Sequence, residues 1–195
     1  MAISSHLTLL TGIAGINVYI VRILKLPFDI SLHFYFFFFV GVIITGILKM
    51  FFYSSVGAGF LGTLGSSALL YVSIHWIILG NTINIPLLYI QGLLLGFGAS
   101  MTLVSGSMAT LLDGDLKEAA QRSQTMHTIR NFSAAMLIPI IAYTIKNHIQ
   151  KGTQSIYAEN ITDKMIYLKK LQDVAIDADH QIFLLMIISV SYTHL

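Results

Sequence analysis

"PLLYIQGLLLGFGASMTLVSGSMATL", Pro86 to Leu111, is the stretch that decides what kind of chain this is. Its apolar residues run all round a helix rather than along one stripe, the pattern of a helix surrounded by lipid or by other helices. It is also long enough, since a bilayer-spanning helix takes about twenty mostly apolar residues. Pro86 fits the first helical turn, where a missing N–H removes no helical bond. Working outward, Leu7 to Leu26, Leu32 to Tyr53 and Gly57 to Leu79 precede it with the same character, and Met126 to Ile145 follows. A shorter apolar run, Ile182 to Val190, comes last.

Composition agrees with the pattern. The chain of 195 residues is 55% hydrophobic and 10% charged with a mean hydropathy of +0.77, where an ordinary soluble domain carries roughly a quarter charged residues. A water-soluble globule could not hide that much apolar surface. The expected fold is therefore all-α: a polytopic membrane helical bundle in which residues 1–145 form five full transmembrane helices (7–26, 32–53, 57–79, 86–112 and 126–145) and a truncated sixth follows.

The same numbers exclude several classes. A net charge of +2 with no basic block gives nucleic acid nothing to bind. There is no cysteine, and the 7 histidines are scattered, none paired at i,i+4 spacing, so no metal site and no cofactor is expected. The opening "MAISSHLTLL" lacks the charged start and cleavage site of a signal peptide, so the first apolar stretch is read as a retained span.

"KLPFDIS", "YSSVGAG", "GNTINIP" and "DGDLKEAAQRSQ" are read as tight links between antiparallel helices. Residues 146–180 form a long polar section in which Ile161, Met165, Leu168 and Leu171 recur at helical spacing, as in a short amphipathic helix on a surface. Pro139 lies inside a helix and predicts a kink. Residues 181–189 are read as the start of a final transmembrane helix. Residues 190–195, "VSYTHL", can be encoded by a sequence resembling a transposon mosaic end used as a library adapter, and are expected to be adapter read-through.

Polar groups at membrane depth are expensive and mark candidate sites. Asn17, Tyr19, His75, Trp76 and Gln91 qualify, while Arg22, His33, Lys49 and Arg130 lie near enough to helix ends to snorkel. No Asp or Glu falls inside the spans as bounded above. Small residues concentrate at Gly57, Gly59, Gly62 and Gly65, then at Gly92, Gly96 and Gly98, where close backbone approach can hold helices together in lipid. "GASM", Gly98 to Met101, is similar to the nucleophile motif of rhomboid intramembrane serine proteases, but Met101 replaces the second glycine and no later span offers a histidine in a small-residue setting.

The section from Pro86 to Tyr143 carries a fuller resemblance. The glycine-rich "PLLYIQGLLLGFGASMTLVSGSMATL", the charged link "DGDLKEAAQRSQ" and "TMHTIRNFSAAMLIPIIAYTI" together resemble the C-terminal half of the fourteen-helix drug:proton antiporters (EmrB/QacA type) of the major facilitator superfamily. Matching positions are Gly92, Gly96 and Gly98 in the first helix and Arg130, Asn131, Ser133 and Ala134 in the second. "YAENITDKMIYLKKLQDVAIDADHQIFLL" is similar to the long external loop and final helix of these exporters. The superfamily's charged loop motif has only a vestige at "GILKMFFYSSVG", and the glycine- and proline-rich antiporter helix is absent.

The resemblance implies half of a major facilitator fold in a bacterial inner membrane, paired with a missing N-terminal half of the same transporter. It implies proton-coupled export of small amphipathic compounds by alternating access, with the coupling groups outside this sequence. Asn17, Tyr19, Gln91 and Met101 would line the substrate cavity; Arg130 would serve as a gate or, with Gly92, Gly96 and Gly98, in helix packing. The implied orientation puts Tyr53 to Gly57 and Asp113 to Gln124 in the cytoplasm, whereas Arg22, Lys25 and the lysines of residues 146–180 favour the reverse. The alternatives are a non-transporting integral membrane subunit or assembly protein and, last, the intramembrane protease.

Overall fold

A computed structural model describes residues 2–78, 83–112, 114–158 and 164–191. Every element among them is helical: α1 (Ala2–Asn17) running on as a π-helix (Val18–Ile23), α2 (Phe28–Ile77), α3 (Ile85–Leu112), a 3-10 turn (Leu116–Glu118), α4 (Ala119–Ala158) and α5 (Lys164–Ser191). Four of these, α2 to α5, are long and apolar enough to cross a membrane. Large apolar side chains such as Phe28, Phe36, Phe39, Ile43, Met50 and Phe51 lie exposed along α2, and Phe132, Met136, Ile138 and Tyr143 along α4. Such a surface suits hydrocarbon rather than water. The expected all-α membrane bundle is thus met at the level of class.

The 50 residues of α2 cannot be one straight span: at 1.5 Å per residue they would reach about 75 Å, more than twice the ~30 Å hydrocarbon core. Gly57 breaks them, with φ 80 and ψ 165 inside otherwise helical backbone, a conformation open in practice only to glycine. The two arms then run in opposite directions along α3. In the first arm Phe34, Phe38 and Thr45 meet Gly92, Gly96 and Phe97, rising together with α3. In the second, Gly65 meets Met101 and Gly98, whereas Trp76 meets Gln91, so the order is reversed. Two spans were expected here; the link between them is a single residue rather than the seven-residue "YSSVGAG".

α3 is held between these arms by backbone contact. A Cβ added at Gly92 would lie 2.9 Å from the Phe34 carbonyl oxygen, and one at Gly98 would lie 2.7 Å from that of Gly65. At Gly96 it would overlap the Phe38 carbonyl. The GxxxG spacing therefore does what helix packing in lipid needs, letting main chains touch where apolar burial offers no drive.

The later part of the chain departs from its expected bounds. α4 is a helix of 40 residues and continues through Pro139 and past Ile145 to Ala158. α5 has 28 residues and joins the expected amphipathic piece to the apolar run after Gln181. Most of the section 146–180 is therefore helix. The reason lies in helix propensity: Lys, Gln, Leu, Ala and Met fill Lys164 to Met186, and neither Gly nor Pro interrupts them. Ile161 of the expected amphipathic helix and the terminal residues 192–195 lie outside the described residues; Val190 and Ser191 belong to α5.

Candidate functional site

The ends of α1, α2 and the beginning of α3 converge on one face of the bundle, where α5 also packs. Here a set of polar and aromatic side chains is buried. Trp76, near the end of α2, donates its indole N–H to Gln91 Oε1 of α3 at 2.8 Å, and both residues are buried. The indole also lies 5.2 Å, centroid to centroid, from Phe183 of α5 and 6.3 Å from Phe34 of the first arm. One turn before Phe183 stands Asp179, 2% exposed, and neither of its carboxylate oxygens receives a hydrogen bond. Tyr19, wholly buried on the π-helix, is within electrostatic reach of that carboxylate.

Each position follows from local structure. The π-helix widens the turn, with the Leu24 N–H bonded to the Tyr19 carbonyl at 2.9 Å and the Leu26 N–H to that of Ile20 at 3.1 Å. Such wide turns re-aim side chains and recur at functional positions. Pro27 forces the end, because the residue before a proline is pushed out of the helical region. Lys25 adopts a left-handed φ of 51 and reverses the chain without the glycine usual there. On α5, Ile176, Asp179, Phe183, Met186 and Val190 recur at helical spacing on one buried face.

The amide nitrogen of Gln91 adds to the picture. Its Nε2 is buried and has no partner, so a donor points into the bundle unused. A buried donor and a buried carboxylate, each unsatisfied, are costly wherever they occur. Above them, between Ile23, Leu24 and Lys25 on one side and Leu168, Leu171, Gln172 and Ala175 on the other, is a groove of about 530 Å³. Ala175 lies one helical turn before Asp179, and Ile23 one turn after Tyr19, so the groove's lining stops one turn short of these two residues.

Tyr19 and Gln91, expected as cavity residues, are thus brought to the same buried face. Asn17 and Met101 are not. Asn17 is exposed at the end of α1, and Met101 is buried between the arms, its Cβ against Gly65. Arg130 is half-buried on α4, within electrostatic reach of His6 on α1, and its Nε is buried without a hydrogen-bond partner. Gly92, Gly96 and Gly98 are filled by neighbouring backbone, as described above.

Two residues correct the sequence reading. Asp179 sits inside a helix able to span the membrane, where no carboxylate is expected from an apolar run that starts at Ile182 and a final helix read as starting at Gln181. The signal was available in the buried i, i+4, i+7 spacing of Asp179, Phe183 and Met186. Lys49, expected to snorkel outward, instead turns inward: its Nζ donates to the carbonyl oxygens of Ser100 and Met101 on α3, both at 3.0 Å.

His75, the other histidine considered, stacks on Tyr71 with centroids 6.2 Å apart and stays half-buried. Among the described residues no group of His, Asp and Glu could hold a metal ion. The chain matches no protein-family model, no curated protein and no solved structure.

Proposed function

We propose that the chain is one half of a secondary transporter of the major facilitator type, exporting small amphipathic compounds in exchange for protons across a bacterial inner membrane. The observation that carries this reading is the buried, unsatisfied pair of Gln91 Nε2 and the Asp179 carboxylate among Trp76, Phe183 and Tyr19. Groups kept polar and unpaired between membrane helices are expensive, and their usual return is to bind something that comes and goes. Aromatic walls with few polar groups suit an amphipathic guest. Alternating access would move the second half of the transporter against this one, with the α2 and α3 unit acting as a rigid block.

The test is flux. The full gene product reconstituted into liposomes and loaded with ethidium should expel the dye when a pH gradient is imposed. Absence of any gradient-dependent movement of ethidium or tetraphenylphosphonium would count against transport.

One observation favours the second reading, a non-transporting membrane subunit. The small-residue faces of α2 and α3 are closed by main-chain contact at Gly92, Gly96 and Gly98, and helices locked in this way serve assembly as readily as motion. Such a protein would show no flux while still co-purifying with its partners.

A further inference from the structure

We propose that Asp179 is a proton-binding site within this chain, reached from one face of the membrane through the groove between the π-helix and α5. The idea rests on the transport reading for its purpose, but its chemistry stands on geometry alone. Asp179 is 2% exposed, belongs to a helix able to cross the bilayer, and neither carboxylate oxygen receives a hydrogen bond. A bare carboxylate held away from water is among the most costly arrangements in a protein. Binding a proton removes the charge and converts an acceptor-only group into one that can also donate.

The groups that face it support a proton over another cation. Tyr19, from the π-helix, is a titratable residue within electrostatic reach of it. On α5 itself Asp177 is turned away to His148 of α4, 3.8 Å distant, and is exposed. The second arm of α2 presents Trp76, already engaged with Gln91, and its histidine, His75, lies against Tyr71. α3 contributes Gln91. A metal cation would need several oxygen ligands around it, and among the described residues no acidic or histidine cluster supplies them. A single carboxyl is enough for a proton.

Access is the second half of the proposal. The groove of about 530 Å³ is lined by Ile23, Leu24, Lys25, Leu171, Gln172 and Ala175, among others, and Ala175 stands one turn from Asp179. Gln172 and Lys25 give it a polar mouth. It opens at the end where α1 stops and α5 approaches the bundle, while the opposite end of the site is closed by Phe183, Met186 and Leu95, all buried. Protons would therefore reach Asp179 from that face.

Infrared spectroscopy of the whole chain in phosphatidylethanolamine and phosphatidylglycerol nanodiscs tests the site directly. During a pH titration the wild type should show the carbonyl stretch of a protonated carboxylic acid in an apolar setting; Asp179→Asn should lose that band, and Tyr19→Phe should keep it but shift it. A band unchanged in Asp179→Asn would overturn the proposal, because another carboxyl would then be responsible. The route is tested by Asp179→Cys, in a chain that otherwise has no cysteine, treated with a charged methanethiosulfonate reagent in sealed liposomes. Labelling from one face only is expected; labelling from both faces or from neither would overturn the route. Failure of ethidium efflux in the wild type would sink the transport reading while leaving the infrared band to decide this one.

Discussion

A lysine in the middle of an apolar helix is ordinarily a liability, and Lys49 shows how one is accommodated. Its ammonium binds the Ser100 and Met101 carbonyls of α3, which are already used within their own helix, so the charge is solvated by main chain instead of water. Lys49→Met should loosen the contact of α2 with α3 by about 1–2 kcal/mol, given that hydrogen bonds to charged groups and bonds between membrane helices fall in that range. Measuring unfolding of the reconstituted variant by denaturant would reveal it; stability equal to wild type would mean the ammonium is solvated elsewhere. Hydropathy alone could not have told this lysine from a snorkelling one, since Lys49 lies near the end of the span expected from Leu32 to Tyr53. Tyr19 and Gln91, by contrast, were legible as polar groups at membrane depth. Asp179 was missed because a short apolar run fixed the helix boundary too late, and a carboxylate next to His180 and Gln181 looks like loop in a linear reading.

At the scale of elements the glycines of α2 and α3 divide into those packed against another helix, those in open space and Gly57, which turns the chain. Gly59 has open space around its missing Cβ and helical backbone, while Gly57 has equally open space but a φ of +80. Gly57→Ala should therefore destabilise the bundle by about 1–3 kcal/mol through backbone strain alone, whereas Gly59→Ala should be neutral or slightly stabilising through helix propensity. Thermal unfolding in detergent of the two single variants compares them; equal effects would show that the reversal does not depend on Gly57. That arms of α2 exist was readable from the length of the apolar stretch. Which residue reverses the chain was not, because "YSSVGAG" offers two glycines and only tertiary packing on α3 selects between them. Helix ends in α4 and α5 were likewise hidden, since polar residues such as Lys169, Lys170 and Gln172 are good helix formers and mark surface rather than loop.

Among the four helices long enough to span a membrane, α3 is the most enclosed and α4 the least. α3 buries Leu88, Gln91, Leu95, Ala99 and Met101, while along the apolar part of α4 Ile129, Phe132, Met136, Ile138 and Tyr143 stay exposed. Amide hydrogen exchange in nanodiscs should follow this order, slowest in α3, then the arms of α2, and fastest in α4 beyond Ile145 where the helix leaves the apolar stretch. Faster exchange in α3 than in α4 would contradict the packing described. The gross arrangement, an all-helical bundle with small residues at its tightest contacts, could be read from composition and glycine spacing. The convergence of Tyr19, Trp76, Gln91 and Asp179 could not, because it depends on four elements meeting at one end.

The one-residue reversal at Gly57 also bears on how the chain enters a membrane while it is being made. Phe51, Phe52, Val56 and Phe60 flank the turn and are exposed apolar residues, so there is no hydrophilic hairpin loop to be held back or pushed across. Lys49 is the sole Lys or Arg in α2, and it is folded inward onto α3 rather than offered as a topogenic charge. Neither arm then carries a strong orientation cue of its own. Co-translational insertion of the two arms as a paired unit, with its direction fixed by the segments on either side, is the biogenesis this geometry demands.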